Sequence, residues 1–161
     1  RIQIEIDGTY IECPDSEGTT LVREDIIRPA EPQLPEDAEM VEVPLIKLAW
    51  GRSGDKGDKA NVGIIARQPE FLPYIYAALS EEIVAQRFSH FLPEDAPNHS
   101  ACYVERYLMP GCNGINFLLH QVLGGGGMAS IRNDAQGKGF GQLMLDASIP
   151  VSAEIADKIS Q

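Results

Sequence analysis

Hydrophobic and polar positions alternate at the start of the chain. Residues 2–6 place isoleucine at every second position, Asp7-Gly8 is a strong turn signal, and Tyr10-Ile11 can begin a returning strand. A period of two is typical of a strand with one apolar face, and Asp-Gly favours a tight hairpin turn. The pattern predicts a β-hairpin extension within residues 1–27, either an appendage or the end of a preceding domain.

The apolar pattern stops between residues 28 and 42. Prolines stand at positions 29, 32, 35 and 44, and acidic residues at positions 31, 36, 37 and 39. Proline and clustered charge of one sign disfavour regular structure. We expect an extended acidic linker over residues 28–42, with a domain boundary near residue 40.

Apolar runs then predict two strands and a helix. Val43–Ala49 and Asn61–Arg67 are rich in aliphatic residues and too short for helices, so both are interpreted as buried strands joined by a polar loop. From Leu72 to Phe91 the apolar residues recur at helical spacing, with Pro93 just beyond. This stretch predicts one long helix.

The second half of the chain completes an α+β pattern. Cys102–Met109 is predicted to be a strand, and Asn113 caps a predicted helix that ends at the glycine run Gly124–Gly127. Two more strands are expected at Ala129–Arg132 and Phe140–Ser148. The order β-β-α-β-α-β-β predicts a two-layer domain over residues 43–150, with helices on one face of a mostly antiparallel sheet. Residues 151–161 are interpreted as a C-terminal tail.

Charge excludes some classes of partner. The 161 residues include 13 basic and 24 acidic side chains, a net charge of −11. Repulsion of this sign opposes binding to nucleic acid or to an anionic membrane surface, so neither is expected as a partner. No run approaches the ~18 apolar residues of a membrane span. The chain begins at Arg1 without a methionine, which is consistent with a C-terminal piece of a longer protein.

Cysteine and histidine give no sign of a metal or cofactor. The three cysteines, at positions 13, 102 and 112, are odd in number and lack zinc-site spacing, which favours reduced thiols and a cytoplasmic location. His90, His99 and His120 have no recognised ligand spacing, and each is interpreted as structural. We expect no metal and no cofactor.

The segment 51–61 carries the strongest candidate chemistry. Three glycines alternate there with side chains of both charges, which is more than a chain reversal needs. It matches neither a nucleophile elbow nor a phosphate-binding P-loop. The candidate catalytic residues are Asp55, Asp58 and Lys56, and the candidate ligand-binding residues are Arg52, Ser53, Gly54, Gly57 and Asn61. A structural hairpin connection held by internal Asp–Arg and Asp–Lys pairs stays open as the alternative.

Two further glycine-rich segments resemble the first in composition. The run Gly124–Gly127 is longer than a helix end needs, and residues 134–139 again combine an acid, an amide, glycines and a lysine. If these segments meet residues 51–61 at one end of the sheet, they form a rim suited to a phosphate or carboxylate. The candidates here are Gly125, Gly126, Gly127, Asp134, Gln136 and Lys138. Ordinary glycine-rich turns stay open as the alternative.

The segments together carry a family resemblance. The sequence LAWGRSGDKGDKANVGIIAR at 48–67, followed by NFLLH at 116–120, LGGGG at 123–127 and DAQGKG at 134–139, resembles the C-terminal domain of the AtuA-like (acyclic terpene utilisation) family. The resemblance implies a ferredoxin-like fold, a larger N-terminal AtuA-type domain or subunit as partner, and a link to catabolism of isoprenoid or related acyl-CoA intermediates. It carries over no established catalytic residue.

Three hypotheses about function follow. In the first, the domain is part of an acyl-CoA or isoprenoid catabolic enzyme and binds an anionic ligand at its glycine-rich segments, with Asp55 or Asp58 as the general base. In the second, it is an assembly domain that docks on an AtuA-type N-terminal domain or forms a homo-oligomer. A third, an autonomous hydrolase using Ser53 or Cys112, lacks a matched base.

Overall fold

A computed structural model describes residues 2–13, 18, 20, 22, 26–35, 39–93, 96 and 101–160. Sequence assignments that fall on the other positions, including His99 and residues 36–38 of the linker, lie outside the described residues. The domain limits at 27, 42 and 150 stay predictions.

The N-terminal hairpin is confirmed. Strands β1 (Ile2–Ile6) and β2 (Thr9–Cys13) pair antiparallel. Asp7 and Gly8 both have positive φ, 49° and 76°, as a tight two-residue hairpin turn requires.

The main sheet has four antiparallel strands in the order β4-β5-β7-β6. Their bounds are β4 Ala49–Lys56, β5 Lys59–Ala66, β6 Val104–Met109 and β7 Gly114–Leu119. A separate two-stranded ribbon pairs β3 (Met40–Pro44) with β8 (Ser148–Ser152). Residues 40–42, assigned to the linker from sequence, are therefore strand.

The helices are short. They are α1 Leu45–Leu48, α2 Leu72–Ala78, α3 Glu81–Arg87, α4 Phe140–Leu145 and α5 Ala153–Lys158, with 3-10 turns at Pro69–Phe71, Ser89–Phe91 and Ala101–Tyr103. None of the helices in the described part of the chain has the length and apolar character needed to cross a membrane.

The core lies between one face of the main sheet and the helices. Alternate residues of β5 and β7, such as Val62, Ile64 and Phe117, are fully buried and belong to one hydrophobic cluster that also includes residues of the helices. Phe88 and Phe140 stack there with ring centroids 5.0 Å apart. The two-layer α+β prediction, with helices on one face of an antiparallel sheet, is confirmed.

The predicted helix between Asn113 and Leu123 is wrong. Gly114–Leu119 is the central strand β7, hydrogen-bonded to β5 on one side and β6 on the other. A short apolar run is compatible with either a buried strand or a helix. Here the hydrogen bonds to a neighbouring strand on each side stabilise the strand. Asn113 is not a helix cap but a turn residue with φ of 51°. Gly124–Gly127 accordingly follows a strand, not a helix.

Two later assignments also need correction. Phe140–Leu145, predicted as strand, is helix α4, and the strand β8 begins only at Ser148. Residues 129–132 are not a strand: Ala129 is in a turn, Arg132 is in a bend, and the two residues between them have no regular structure. The C-terminal tail is partly regular, since it holds the end of β8 and helix α5.

The polar loop at 51–61 is not a loop. Strands β4 and β5 extend through the segment, and the connection is the two-residue turn Gly57-Asp58, with φ of 68° at Gly57. The strand predicted at Val43–Ala49 is divided by the helical turn α1. The long helix is broken after Leu79, because Ser80 accepts a hydrogen bond from Ile83 N at 3.3 Å and starts α3 anew.

Candidate functional site

The second face of the main sheet is not covered by the helices, and we call it the open face. Its residues form rows that cross β4, β5, β7 and β6 in that order. The rows are Trp50, Ile65, Gly114, Met109; then Arg52, Gly63, Asn116, Tyr107; then Gly54, Asn61, Leu118, Glu105. Their side chains share a face because they alternate with the buried positions of each strand.

A depression of about 410 Å³ lies on the β4 side of the open face. Gly54 and Gly63 belong to its lining, so part of its floor is bare backbone. Among the described residues, a Cβ added at Gly63 would have only Arg52 O within 4 Å, at 3.7 Å. The glycine at position 63 is therefore not required by a close contact inside the protein. Its missing side chain leaves the depression open.

Three cationic side chains border the depression. Arg52 and Lys56 come from β4, and Lys138 comes from the turn before α4. Lys138 Nζ lies 3.4 Å from the position that a Cβ at Gly54 would take. Within the described residues, the side chains of Arg52 and Lys138 have no hydrogen-bond or ion-pair partner. This part of a chain with a net charge of −11 thus presents free positive charge.

Two asparagines extend from the cations across the sheet. Lys56 Nζ lies 3.4 Å from Asn61 Oδ1, and Asn61 Nδ2 lies 3.3 Å from Asn116 Oδ1. Because a lysine can only donate, it fixes the amide orientation of Asn61, which in turn fixes that of Asn116. The Asn116 amide nitrogen is left as a donor at the depression.

The other end of the depression is apolar. Trp50, Ile65 and Met109 line it and remain 53%, 39% and 41% exposed. The Arg67 guanidinium lies over the Trp50 ring, 4.8 Å from its centroid. The site therefore combines a cationic, amide-bearing end with an apolar end.

Ser53 is used internally. Its buried hydroxyl donates to Lys138 O at 3.0 Å and accepts from Gly141 N at 2.8 Å. These bonds attach the start of α4 to strand β4, so the hydroxyl is not free to bind a ligand.

The glycine run is also held by the β4–β5 turn. Asp58 Oδ1 accepts a hydrogen bond from Gly125 N at 2.7 Å. Gly126, with φ of 86°, lies so close to the turn that an added Cβ would be 2.5 Å from Gly57 O. Gly125, Gly126 and Gly57 thus form an internal contact between two loops, in which the Asp58 carboxylate is already occupied.

The remaining candidates also differ in whether they bind the protein itself or lie at the depression. Asp134 accepts from Lys138 N and Gly139 N, both at 2.8 Å, and so shapes its own turn. A Cβ at Gly127 would lie 3.5 Å from the Gln136 side chain and 4.0 Å from Asp55 Oδ2. Asp55 belongs to the lining of the depression, and its carboxylate has no hydrogen-bond partner among the described residues.

The structure therefore brings residues 51–61, 124–127 and 134–139 together at one end of the sheet. It places Arg52, Gly54, Asp55, Lys56, Asn61 and Lys138 at the depression. Ser53 also lies in its lining, but both of its hydrogen bonds are internal. The binding and catalytic roles of these residues stay predictions.

Sequence reasoning missed a second polar cluster on the open face. Tyr107 OH donates to Glu105 Oε2, and His120 Nε2 lies 2.5 Å from Glu105 Oε1. The hydrogen bond from Tyr107, and then that from His120, lowers the pKa of Glu105, while the bond to Glu105 raises the pKa of Tyr107. His120 was missed because it was assigned to a helix. It immediately follows β7, where alternation would have placed it on the open face with Asn116.

Comparison with known proteins identifies the family. A family model described as the AtuA ferredoxin-like domain matches residues 43–150, about two thirds of the chain. This chain belongs to the AtuA ferredoxin-like domain family. Searches of curated proteins and of solved structures found no match. From β5 to α4 the elements of this AtuA ferredoxin-like domain follow the β-α-β-β-α order of a ferredoxin-like motif, with two helices in the first α position.

Proposed function

We propose that this AtuA ferredoxin-like domain binds an anionic ligand with an apolar group on its open face and so assists the catabolism of isoprenoid or related acyl-CoA intermediates. The observation that carries the proposal is a pair of cations, Arg52 and Lys138, that have no partner among the described residues and lie beside a depression with a glycine floor. The acyl-CoA class comes from the family resemblance.

Charge and shape support an anion at this end. A guanidinium and an ammonium bind phosphate or carboxylate oxygens through charge-assisted hydrogen bonds, which are roughly twice as strong as neutral ones. The depression contains three cationic residues and one acidic residue, Asp55, although the whole chain has a net charge of −11. Positive charge concentrated against this background favours an anionic ligand.

The apolar end supports a ligand of mixed character. Small-molecule sites combine apolar lining with a few placed polar groups. Trp50, Ile65 and Met109 supply the apolar lining, and the Asn116 amide supplies a donor for a carbonyl oxygen. An acyl-CoA thioester has an apolar acyl chain, a carbonyl oxygen and phosphate groups, and so matches all three parts.

Of the three catalytic candidates, Asp55 keeps a free functional group. The Asp58 carboxylate accepts the Gly125 amide, and Lys56 is directed towards Asp55 O and Asn61 Oδ1. Asp55 is therefore our candidate for a base acting on a ligand in the depression, and Lys56 and Asp58 support the site.

Calorimetric titration with butyryl-CoA and with free CoA tests the proposal. We expect saturable heat with butyryl-CoA and a loss of affinity of about tenfold or more in an Arg52→Ala/Lys138→Ala variant. Lys47→Ala is the matched control, since Lys47 is an exposed lysine outside the depression. Equal affinity in the double variant and the control, or no heat with either compound, would overturn the proposal.

A second candidate function, assembly, is favoured by the N-terminal hairpin. Its register places Ile4, Ile6 and Ile11 on one face, and these side chains remain 47%, 55% and 49% exposed. A two-stranded hairpin with an uncovered apolar face is marginally stable alone in water. A second copy of the chain or an AtuA-type N-terminal domain would cover it.

Light scattering coupled to size-exclusion chromatography tests self-assembly. If the hairpin mediates it, the wild type is a dimer or larger, and an Ile4→Ser/Ile11→Ser variant is a monomer. A monomeric wild type excludes the homo-oligomer and leaves the N-terminal AtuA-type domain as the partner to examine.

A further inference from the structure

The Glu105–Tyr107–His120 cluster lies on the open face beside the depression. Tyr107 pairs across the strands with Asn116, which lines the depression, and Glu105 pairs with Leu118. Neighbouring strands are about 4.8 Å apart, so β6 lies roughly 10 Å from the Gly63 floor on β5. A ligand longer than a few carbon atoms spans that distance.

The hydrogen bonds of the cluster converge on one carboxylate. Glu105 receives the Tyr107 hydroxyl on one oxygen and His120 Nε2 on the other. Two donors of this kind stabilise the charged form, which is why the pKa of Glu105 lies below its ordinary value. Glu105 is thus a fixed carboxylate at neutral pH.

The carboxylate determines the state of the imidazole. Because an ionised carboxylate only accepts hydrogen bonds, the hydrogen of neutral His120 must be on Nε2. Nδ1 then carries the lone pair, and within the described part of the chain it has no hydrogen-bond partner. A histidine oriented by a carboxylate, with its second nitrogen free, is the arrangement of a general base.

We propose that His120 is a general base for an acyl thioester bound on the open face, with Glu105 and Tyr107 as positioning residues. The inference rests on the proposed function, because it requires the thioester to bind. His120 and Asp55 lie at opposite sides of the sheet and are separate candidates.

The reaction is proton exchange at the carbon next to the thioester carbonyl. The C–H bond breaks, its electron pair moves into the carbonyl to give an enolate, and the proton goes to His120 Nδ1. The imidazolium formed is stabilised by the Glu105 carboxylate, and the Asn116 amide is a donor for the enolate oxygen. Return of a proton from the ring restores the thioester, so no co-reactant is consumed.

Deuterium exchange tests the inference. The whole chain is incubated with butyryl-CoA in D₂O, and the loss of the α-proton signal is followed by NMR, with affinity measured in parallel by calorimetry. We expect exchange above the buffer rate, and a decrease of about 100-fold or more in His120→Gln with unchanged affinity. Glu105→Gln should decrease exchange about tenfold, again without changing affinity. His90→Gln, at an exposed histidine on the 3-10 turn Ser89–Phe91, is the matched control.

Chemical rescue separates a catalytic from a structural role. Added imidazole should restore exchange in His120→Ala, because a free base can occupy the vacated space, and should leave His90→Gln unaffected. Binding of butyryl-CoA without exchange, or exchange that survives His120→Gln, would overturn this inference and leave the proposed function intact. Absence of binding would overturn both.

Discussion

At the scale of single residues, the polar side chains of the glycine-rich segments divide into two groups. Ser53, Asp58 and Asp134 bind backbone groups of the protein itself. Arg52 and Lys138 line the depression and have no partner in the part of the chain that the structure describes. The composition of the segments was sufficient to predict that they contribute to a site. It could not show which side chains bind the protein itself and which line the depression, because several of the internal hydrogen bonds join residues far apart in sequence.

Replacement of Asp58 by alanine should lower stability. The change removes the carboxylate that accepts Gly125 N and so frees the glycine run from the β4–β5 turn. We expect the free energy of unfolding to fall by about 1 kcal/mol, as for a partly exposed hydrogen bond to a charged group. Urea unfolding measures the change. Asp55→Ala is the control, because the Asp55 carboxylate has no hydrogen-bond partner among the described residues. Equal stability of the two variants would contradict the assigned role.

Replacement of two glycines, Gly63 and Gly126, by alanine should affect different properties of the protein. Gly63→Ala meets only Arg52 O at 3.7 Å, so we expect unchanged stability and weaker binding of butyryl-CoA, because the methyl group occupies the floor of the depression. Gly126→Ala puts a Cβ 2.5 Å from Gly57 O at positive φ, and should lose about 2 kcal/mol or more of stability. Urea unfolding and calorimetry distinguish the two. Full affinity in Gly63→Ala would remove this floor from the site.

At the scale of elements, β4 and helix α4 form one unit. Gly51 and Gly141 lie at their contact, where a Cβ on Gly141 would be 3.3 Å from the Arg52 backbone. The glycines and charges of β4 predict a loop, because such residues are rare in strands. They suit this strand because it is at the edge of the sheet, faces the depression on one side and closely approaches a helix on the other.

Ser53→Ala tests the attachment of α4 to β4. It leaves Lys138 O and Gly141 N without their buried partner, which should cost about 1 to 3 kcal/mol of stability. Ser148→Ala, at an exposed serine on β8, should have little effect in the same chemical denaturation. If Ser53→Ala proves as stable as Ser148→Ala, the hydroxyl does not hold the helix.

At the scale of the whole molecule, the fold class could be predicted although several elements were not. The hairpin, the strand predicted at Cys102–Met109 and observed at Val104–Met109, and the alternation of apolar segments were sufficient for a two-layer α+β domain. Two elements, Gly114–Leu119 and Phe140–Leu145, were exchanged between strand and helix. Both are only six residues long, and for runs this short pairing partners decide the structure.

The strand order of the whole sheet explains why the site could be predicted only in part. The cations and glycines of residues 51–61 and 134–139 were identified from composition. Gly63, Asn116 and the Glu105–His120 pair were not, because they reach the open face through the strand order β4-β5-β7-β6, which is not visible in the sequence.

The central claim is that the ligand binds on the open face. Amide NMR spectra recorded during titration with butyryl-CoA test it most directly. The account predicts saturable shifts at Gly54, Gly63 and Asn116, which lie around the depression on three neighbouring strands. Saturable shifts confined to the N-terminal hairpin, or spectra that do not change, would contradict it.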